Sequence, residues 1–419
     1  MDTTTGSSLL TNLDHIVLIG GGRWARVLLG VLCKIAPQHI KISAHSPHNA
    51  QQMSAWVDKC DLNKRVKVSR RYPVIKTKER ASVVIANAAR DHEKAIRWAL
   101  SNGLPTLVEK PVTLTSKNTR GVANMAIRNN TYLAAAHVFT FATYVETFFQ
   151  TISRSKIVRS ISVKWTDPSS EQRYGESKSY DPSLTVFADW LPHIVPILDG
   201  IVPHSSSSVE KLEISSGGAV IKTDIFLGNV PCEIKLERNA KNRERLINVE
   251  TDIGLISLDF ATEPGSVSCG SLVYNGLSEW ANCPKPVNKM LRSFLLGAAG
   301  GVPDKRLDIE LAMRANQLID EMSPLYAAKL GLWLDERMPR IDSELTPDFK
   351  YALSEIVSME DSSRTVPTET KVHYLFSEMT KCSFINSQQK FSKNPIEYIK
   401  CLITAGRGMS YCVKGSFNG

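Results

Sequence analysis

A short apolar run, HIVLI at positions 15–19, leads straight into Gly20-Gly21-Gly22-Arg23-Trp24-Ala25. An uninterrupted apolar run of this length reads as a strand buried on both faces, as in parallel sheets. The stretch 24–35 then places apolar residues at 27, 28, 31, 32 and 35, one face of a helix that Pro37 ends. Strand, glycine turn and helix together match G-x-G-x-x-A in the context that gives the motif its meaning. Gly20 permits the tight turn, Gly22 lets a pyrophosphate approach the backbone, and Ala25 lets the helix pack close to the sheet. The first helical N–H groups face the turn with a positive dipole end. The segment therefore reads as the phosphate-binding turn of a dinucleotide site.

The same alternation continues. Strand-like segments at 40–44, 83–86 and 106–108 are separated by helical stretches at 49–59, 91–102 and 116–129. This predicts a doubly wound parallel sheet over about residues 13–136. After Tyr144 the texture changes. Segments at 159–165, 212–214, 219–227, 232–237, 246–250 and 254–260 follow one another with few helices between, the mark of a mostly antiparallel sheet. A helical segment at 183–199 interrupts them, and helical stretches near 287–298 and 307–322 follow. The fold class is α/β. Residues 1–137 are expected to form a Rossmann domain, 138–328 an α/β domain with an open, mostly antiparallel sheet, and 329–419 a mostly helical extension. That extension carries helical patches at 346–358, 372–379 and 395–405.

A chain of 419 residues has room for two or three domains. Its net charge of +9 permits an anionic partner without naming one. The basic stretch 64–80 holds eight Lys or Arg against one Glu, but Tyr72 is its only aromatic. It makes no stacking platform for nucleic acid and reads as a solvated face. The eight cysteines form no C-x-x-C pair and no zinc-ligand spacing, so neither a metal site nor a disulfide framework is expected. No signal sequence and no membrane-length apolar run is found, and the expectation is a soluble cytoplasmic protein.

The second strand ends Ser43-Ala44-His45-Ser46, and no carboxylate occurs between Ile40 and Met53. NAD sites place Asp or Glu there for the ribose 2′-OH. Here His45, Ser46 and His48 are potential donors, and Arg23 supplies charge from the turn itself. The expected cofactor is NADP(H), with NAD(H) second.

Four blocks in order resemble the glucose-fructose oxidoreductase / inositol dehydrogenase / MocA-type family. They are the glycine turn; Val83-Val84-Ile85-Ala86-Asn87 with His92; Glu109-Lys110-Pro111, similar to the family's E-K-P; and Asp189-Trp190-Leu191-Pro192-His193, matching D-x-x-x-H. They span about residues 14–325. The resemblance implies a two-domain oxidoreductase with its active site at the domain seam. Lys110 would touch the reacting oxygen, His193 would give or take the proton, and Asp189 would be auxiliary. A histidine titrating near neutrality and a lysine beside a developing alkoxide suit hydride transfer. Gly20, Gly22, Arg23, Trp24, Ala25, His45, Ser46, Asn87, His92, Glu109 and Lys110 are the cofactor candidates, His92 reading first as structural. Pro111 is often cis in the family. A homodimer or homotetramer is implied.

The pattern also departs from the family. Pro192 and Pro196 bracket His193, and a proline at 196 lacks the N–H that would bond to the Pro192 carbonyl, so a kinked or delayed helix is expected. The run after the Rossmann domain is His137-Val138-Phe139-Thr140-Phe141-Ala142-Thr143-Tyr144, without the family's arginine. His137, Phe139 and Tyr144 are candidate substrate contacts, and the phenylalanines suit a less polar group than a free sugar. The leading functional reading is an NADP-dependent oxidoreductase acting on a carbonyl or secondary alcohol of a sugar-like or secondary-metabolite substrate. The alternative is an NADPH-dependent imine reductase of the thiazolinyl type, acting on a substrate tethered to a carrier protein. A non-enzymatic dinucleotide-binding sensor or scaffold is a third reading.

Overall fold

The computed structural model describes residues 9–76, 79–168, 172–173, 176–177, 184–215, 218–276 and 285–337. The helical patches expected beyond residue 338 lie outside the described residues. The chain divides into two compact units. One is drawn from Met1–Ser153, Leu191–Pro203 and Tyr274–Gln317, the other from Arg154–Trp190, His204–Val273 and the chain from Leu318 on. Both are discontinuous in sequence, whereas the sequence reading divides the chain linearly.

The first unit holds six strands: β1 His15–Ile19, β2 Lys41–His45, β3 Val66–Ser69, β4 Ala81–Ile85, β5 Thr106–Val108 and β6 Leu133–Ala135. Their order is β3-β2-β1-β4-β5-β6, and every pairing is parallel. This is the doubly wound order with its topological switch between β1 and β4. Each residue of β1 and β4 is buried because both faces of the sheet are covered. Ile16 and Leu18 pack with Leu28, Leu32 and Phe294 on one face. Val17 and Ile19 pack with Ile96, Leu100 and Val122 on the other. β3 lies inside the basic stretch, where alternating lysines hide a strand at the sheet's edge.

The second unit holds β7 Val158–Pro168, the short strands β8 Gln172–Arg173 and β9 Glu176–Ser177, then β10 Ser207–Ser215, β11 Val220–Leu227, β12 Val230–Ala240, β13 Glu244–Thr251, β14 Gly254–Asp259, β15 Ser266–Cys269 and β16 Leu272–Asn275. Eight of them order as β10-β11-β12-β7-β13-β14-β15-β16. β12 runs parallel to β7, while β10–β11, β11–β12, β13–β7, β13–β14 and β14–β15 are antiparallel. Period-2 patterning makes this sheet one-sided. Ile221, Ile225, Ile234, Leu236, Ile161, Val163, Ile247, Val249, Ile256 and Leu258 are buried on one face. On the other, Lys222, Lys235 and Lys164 stand side by side in register. They pair with Glu233 at 3.5 Å, Glu237 at 3.4 Å and Glu244 at 2.6 Å respectively.

The helix Val186–Ile201 runs through both Pro192 and Pro196, although a kink or delay is expected from the sequence. Its cap is Thr185, whose Oγ1 accepts from the Ala188 N–H at 3.3 Å. The helix Ile309–Arg337 crosses the boundary expected at 328/329.

Trp165 anchors the buried side of the second sheet. It is 1 % exposed, meets Phe260 edge to face at 5.5 Å, and carries the Arg245 guanidinium 4.2 Å from its ring centroid. Arg245 in turn pairs with buried Asp167. Trp165→Ala removes this packing and loosens a buried ion pair, so it is expected to lower stability by about 3–5 kcal/mol. Urea unfolding measures the loss; a change below about 1 kcal/mol would contradict this packing role.

Candidate active site

The glycine turn is built by backbone meeting backbone. Gly20 has φ +146°, and a Cβ placed there would stand 2.4 Å from the Ala86 carbonyl oxygen, so only glycine fits. Its N–H donates to the His45 carbonyl at 2.9 Å. The turn is thereby clasped between the ends of β2 and β4. A Cβ on exposed Gly22 would meet nothing within 4 Å, which leaves that backbone open to a ligand. Helix Arg23–Ile35 begins immediately after, with no side-chain cap on its first N–H groups and no acidic residue in its first turn. Ala25 is fully buried. These are the features a pyrophosphate requires.

The second and third motifs are tied to this turn and to each other. The Glu109 carboxyl accepts a hydrogen bond from the Trp24 side chain, and burial pushes its pKa up despite that bond and the nearby Lys110 charge. Glu109 Oε1 and Asn87 Oδ1 are both shielded from solvent and meet no hydrogen-bond partner among the described residues. A nicotinamide dinucleotide has hydroxyl and amide donors that suit two such oxygens. His92 is 1 % exposed. Its Nδ1 lies 2.7 Å from the Pro111 carbonyl and its Nε2 lies 3.1 Å from the Asn87 carbonyl. It joins the loop after β4 to the loop after β5, and Lys110, half-buried, sits at the start of that second loop. The Lys110–Pro111 peptide is cis.

At the end of β2 the side chains turn inward. His45 is 4 % exposed, with Nδ1 2.6 Å from the Arg71 carbonyl and Nε2 2.8 Å from Ser43 Oγ. Burial holds its pKa below the ordinary histidine value. Ser46 is buried too, its Oγ accepting from the Asn49 N–H at 3.0 Å and packing beneath Gly21. His48 is exposed.

A second cluster forms around His193, on helix Val186–Ile201. The Phe139 ring meets the His193 ring edge-on at 5.0 Å. His137 approaches the Asp308 carbonyl through Nε2 at 3.3 Å, and its ring also faces the Pro192 carbonyl. That carbonyl is the one whose helical donor Pro196 removes, so the histidine stands where the helix lacks a partner. His137 is 2 % exposed and Tyr144 fully buried. Asp189, three residues into the helix, pairs with Arg238 at 3.0 Å within the second unit. Arg238 also donates to the Leu184 carbonyl at 3.2 Å.

Sequence reasoning passes over Arg306. Its guanidinium stacks 4.0 Å from the Phe141 ring centroid and pairs with Glu146 at 2.8 Å and Asp304 at 2.7 Å. It pins the Val138–Phe141 turn that carries Phe139. No local pattern could reveal it, because Arg306 and Phe141 lie 165 residues apart in the chain. Among the described residues no group of His, Cys, Asp and Glu side chains could hold a metal ion. No described helix is long and apolar enough to cross a membrane.

No protein-family model and no curated protein matches the chain. Solved structures do. The UDP-N-acetylglucosamine 3-dehydrogenase GnnA from Acidithiobacillus ferrooxidans aligns at 14 % identity and TM-score 0.59, over 76 % of this chain and 99 % of its own. KijD10, a 3-ketoreductase from Actinomadura kijaniata solved with TDP-benzene and NADP, aligns at 13 % and 0.58, over 74 % and 96 %. The dehydrogenase MviM from Clostridium difficile aligns at 11 % and 0.58, over 74 % and 99 %. The chain has the fold of these Gfo/Idh/MocA-type oxidoreductases.

Burial pushes His137 from 6.5 down to about 4. Between those values the unfolded chain takes up a proton that the folded state refuses. Stability is therefore expected to fall as pH drops from 6.5 toward 4, by on the order of 3 kcal/mol. His137→Gln should flatten that slope, as read by urea midpoints at about pH 7 and about pH 5. An unchanged slope would place the titrating group elsewhere.

Proposed function

We propose that this chain is an NADP-dependent oxidoreductase moving a hydride between nicotinamide and a carbonyl or secondary alcohol of a sugar-like substrate. The observation that carries the reading is the convergence of three motifs, distant in sequence, on one turn. Gly20 packs on Ala86, Trp24 bonds to Glu109, and His92 bridges Asn87 to the Lys110–Pro111 loop. Two shielded, unpartnered oxygens in that cluster suit the donors of a nicotinamide dinucleotide. The bound coenzyme would supply or accept the hydride. In the reductive direction the Lys110 ammonium would hold the substrate oxygen as it gains negative charge, and His193 would deliver the proton that completes the hydroxyl. In the oxidative direction His193 would take that proton. Glu109 would keep Trp24 and the coenzyme side of the pocket in place. Asp189, bound to Arg238, would orient the start of the helix that bears His193.

Sugar-like substrates are favoured because two proteins of similar fold are a UDP-N-acetylglucosamine 3-dehydrogenase and a 3-ketoreductase solved with TDP-benzene and NADP. The imine-reductase alternative draws support from Phe139, which lays an apolar edge against His193. A dimer or tetramer would use the solvent face of the eight-stranded sheet, where rows of Lys and Glu alternate. The proposed setting is the cytoplasm.

Incubation with NADPH and either a keto-sugar nucleotide or a thiazoline thioester tests the reading. Coenzyme oxidation is expected with the sugar; oxidation with the thioester alone would favour C=N reduction. Lys110→Met and His193→Asn should each lower turnover by about 10²–10⁴-fold while coenzyme binding persists in fluorescence titrations, unchanged for His193→Asn. Absence of binding to either coenzyme would overturn the proposal.

A further inference from the structure

A hydrogen-bonded chain crosses one face of the parallel sheet and ends on the Arg71 carbonyl, next to Arg70, two arginines that the coenzyme reading leaves unused. Glu79 Oε1 lies 3.1 Å from His15 Nδ1. His15 Nε2 lies 2.7 Å from Ser43 Oγ, Ser43 Oγ lies 2.8 Å from His45 Nε2, and His45 Nδ1 lies 2.6 Å from the Arg71 carbonyl. His15, Ser43 and His45 are all buried. The direction of the chain follows from its far end. A carbonyl oxygen only accepts, so His45 Nδ1–H donates to Arg71. Neutral His45 then presents a lone pair at Nε2, and the Ser43 hydroxyl donates to it. With both nitrogens engaged inside the protein, His45 has no hydrogen to offer a ligand at the end of β2.

The chain instead holds a turn. Ser69 closes β3 opposite His45 in register, and its carbonyl accepts from the Ser46 N–H at 3.0 Å. Ser69 Oγ accepts from the Arg71 N–H and donates to the Arg71 carbonyl, each at 3.1 Å. Immediately beyond, the Tyr72 ring packs on Trp98 with centroids 4.9 Å apart. The turn is thus fixed on both sides, while Arg70 and Arg71 are exposed. They are the first two residues past the carboxyl end of β3, beside the carboxyl end of β2. Ligands of doubly wound sheets bind outside the carboxyl ends of the strands, and the residue type at the end of β2 sorts ribose hydroxyl from ribose phosphate.

We infer that Arg70 and Arg71 form the clamp for the coenzyme's 2′-phosphate, and that Ser43 and His45 act as positioning residues through the Arg71 carbonyl. The inference rests on the coenzyme reading above and adds where its specificity resides. Guanidinium groups suit a phosphate dianion by charge-assisted, paired hydrogen bonds. This gives a role to part of the basic stretch 64–80.

The test uses the full-length protein and two nucleotides that lack nicotinamide, 2′,5′-ADP and ADP, with NADPH and NADH in parallel, all by fluorescence displacement or calorimetry. Wild type is expected to prefer 2′,5′-ADP over ADP and NADPH over NADH by about tenfold or more. The double variant Arg70→Ala, Arg71→Ala should lose that preference by weakening only the 2′-phosphorylated ligands. Ser43→Ala should reduce the preference several-fold with ADP and NADH affinity unchanged, which general loosening of the fold would not produce. Equal losses for both ligand classes in the double variant, or no change in either, would overturn the clamp. So would a wild type without preference for the phosphorylated forms. Retained 2′,5′-ADP preference with no coenzyme turnover on any substrate would sink the proposed reaction and leave the clamp standing.

Discussion

Gly20 brings two strands' ends closer than any side chain would allow. Its α-carbon lies so near the Ala86 carbonyl that a Cβ would reach within 2.4 Å of the oxygen, and its N–H closes onto the His45 carbonyl. One missing methyl group thus lets β1 turn sharply between β2 and β4. The helix Arg23–Ile35 can then start directly over the carboxyl edge of the sheet, with no side-chain cap on its first turn. Trp24 is carried to Glu109 by the same turn, and Asn87 is placed just past the contact. The remaining geometry around the glycine turn follows from this approach.

Around that turn the molecule uses histidines as internal fasteners. His92 joins the loops after β4 and β5, His45 joins β2 to the turn after β3, and His137 faces the carbonyl that Pro196 leaves without its helical donor. Each is buried, and burial lowers the pKa of His45 and His137. An imidazole suits this role because it carries a polar atom at each end: His45 donates through Nδ1 to the Arg71 carbonyl and accepts at Nε2 from the Ser43 hydroxyl, whereas the rings of His92 and His137 face carbonyl oxygens, which only accept. His193 differs from these three in being only half-buried, with an aromatic edge against its ring.

The second unit solves a different problem. Among the described residues its sheet is covered on one face only, so apolar residues alternate with charged ones, and the outward lysines are matched by glutamates on the same or neighbouring strands. Its buried charges are paired and stacked on indoles: Arg245 with Asp167 against Trp165, and Arg238 with Asp189 near Trp190. Arg238 thereby fixes the opening turn of the helix that continues to His193.

Local patterns were enough to identify the strand–turn–helix at residues 15–35, a doubly wound parallel sheet over about residues 13–136, and the alternating strands of the second sheet. Each is written within a few residues of itself: a glycine where no Cβ fits, an apolar run where both faces are covered, a period of two where one face is. Only the tertiary structure decided the rest. β3 hid among lysines because an edge strand need not be apolar throughout. His45 and Ser46 carry ligand-type side chains, yet packing turned them inward toward Ser43, Arg71 and Asn49. The helix continues through Pro192 and Pro196, with a ring from residue 137, far away in the chain, at the carbonyl that lacks its donor. Arg306 beneath Phe141 follows the same rule: partners 165 residues apart leave no mark on either neighbourhood, since the contact exists only once the chain has folded.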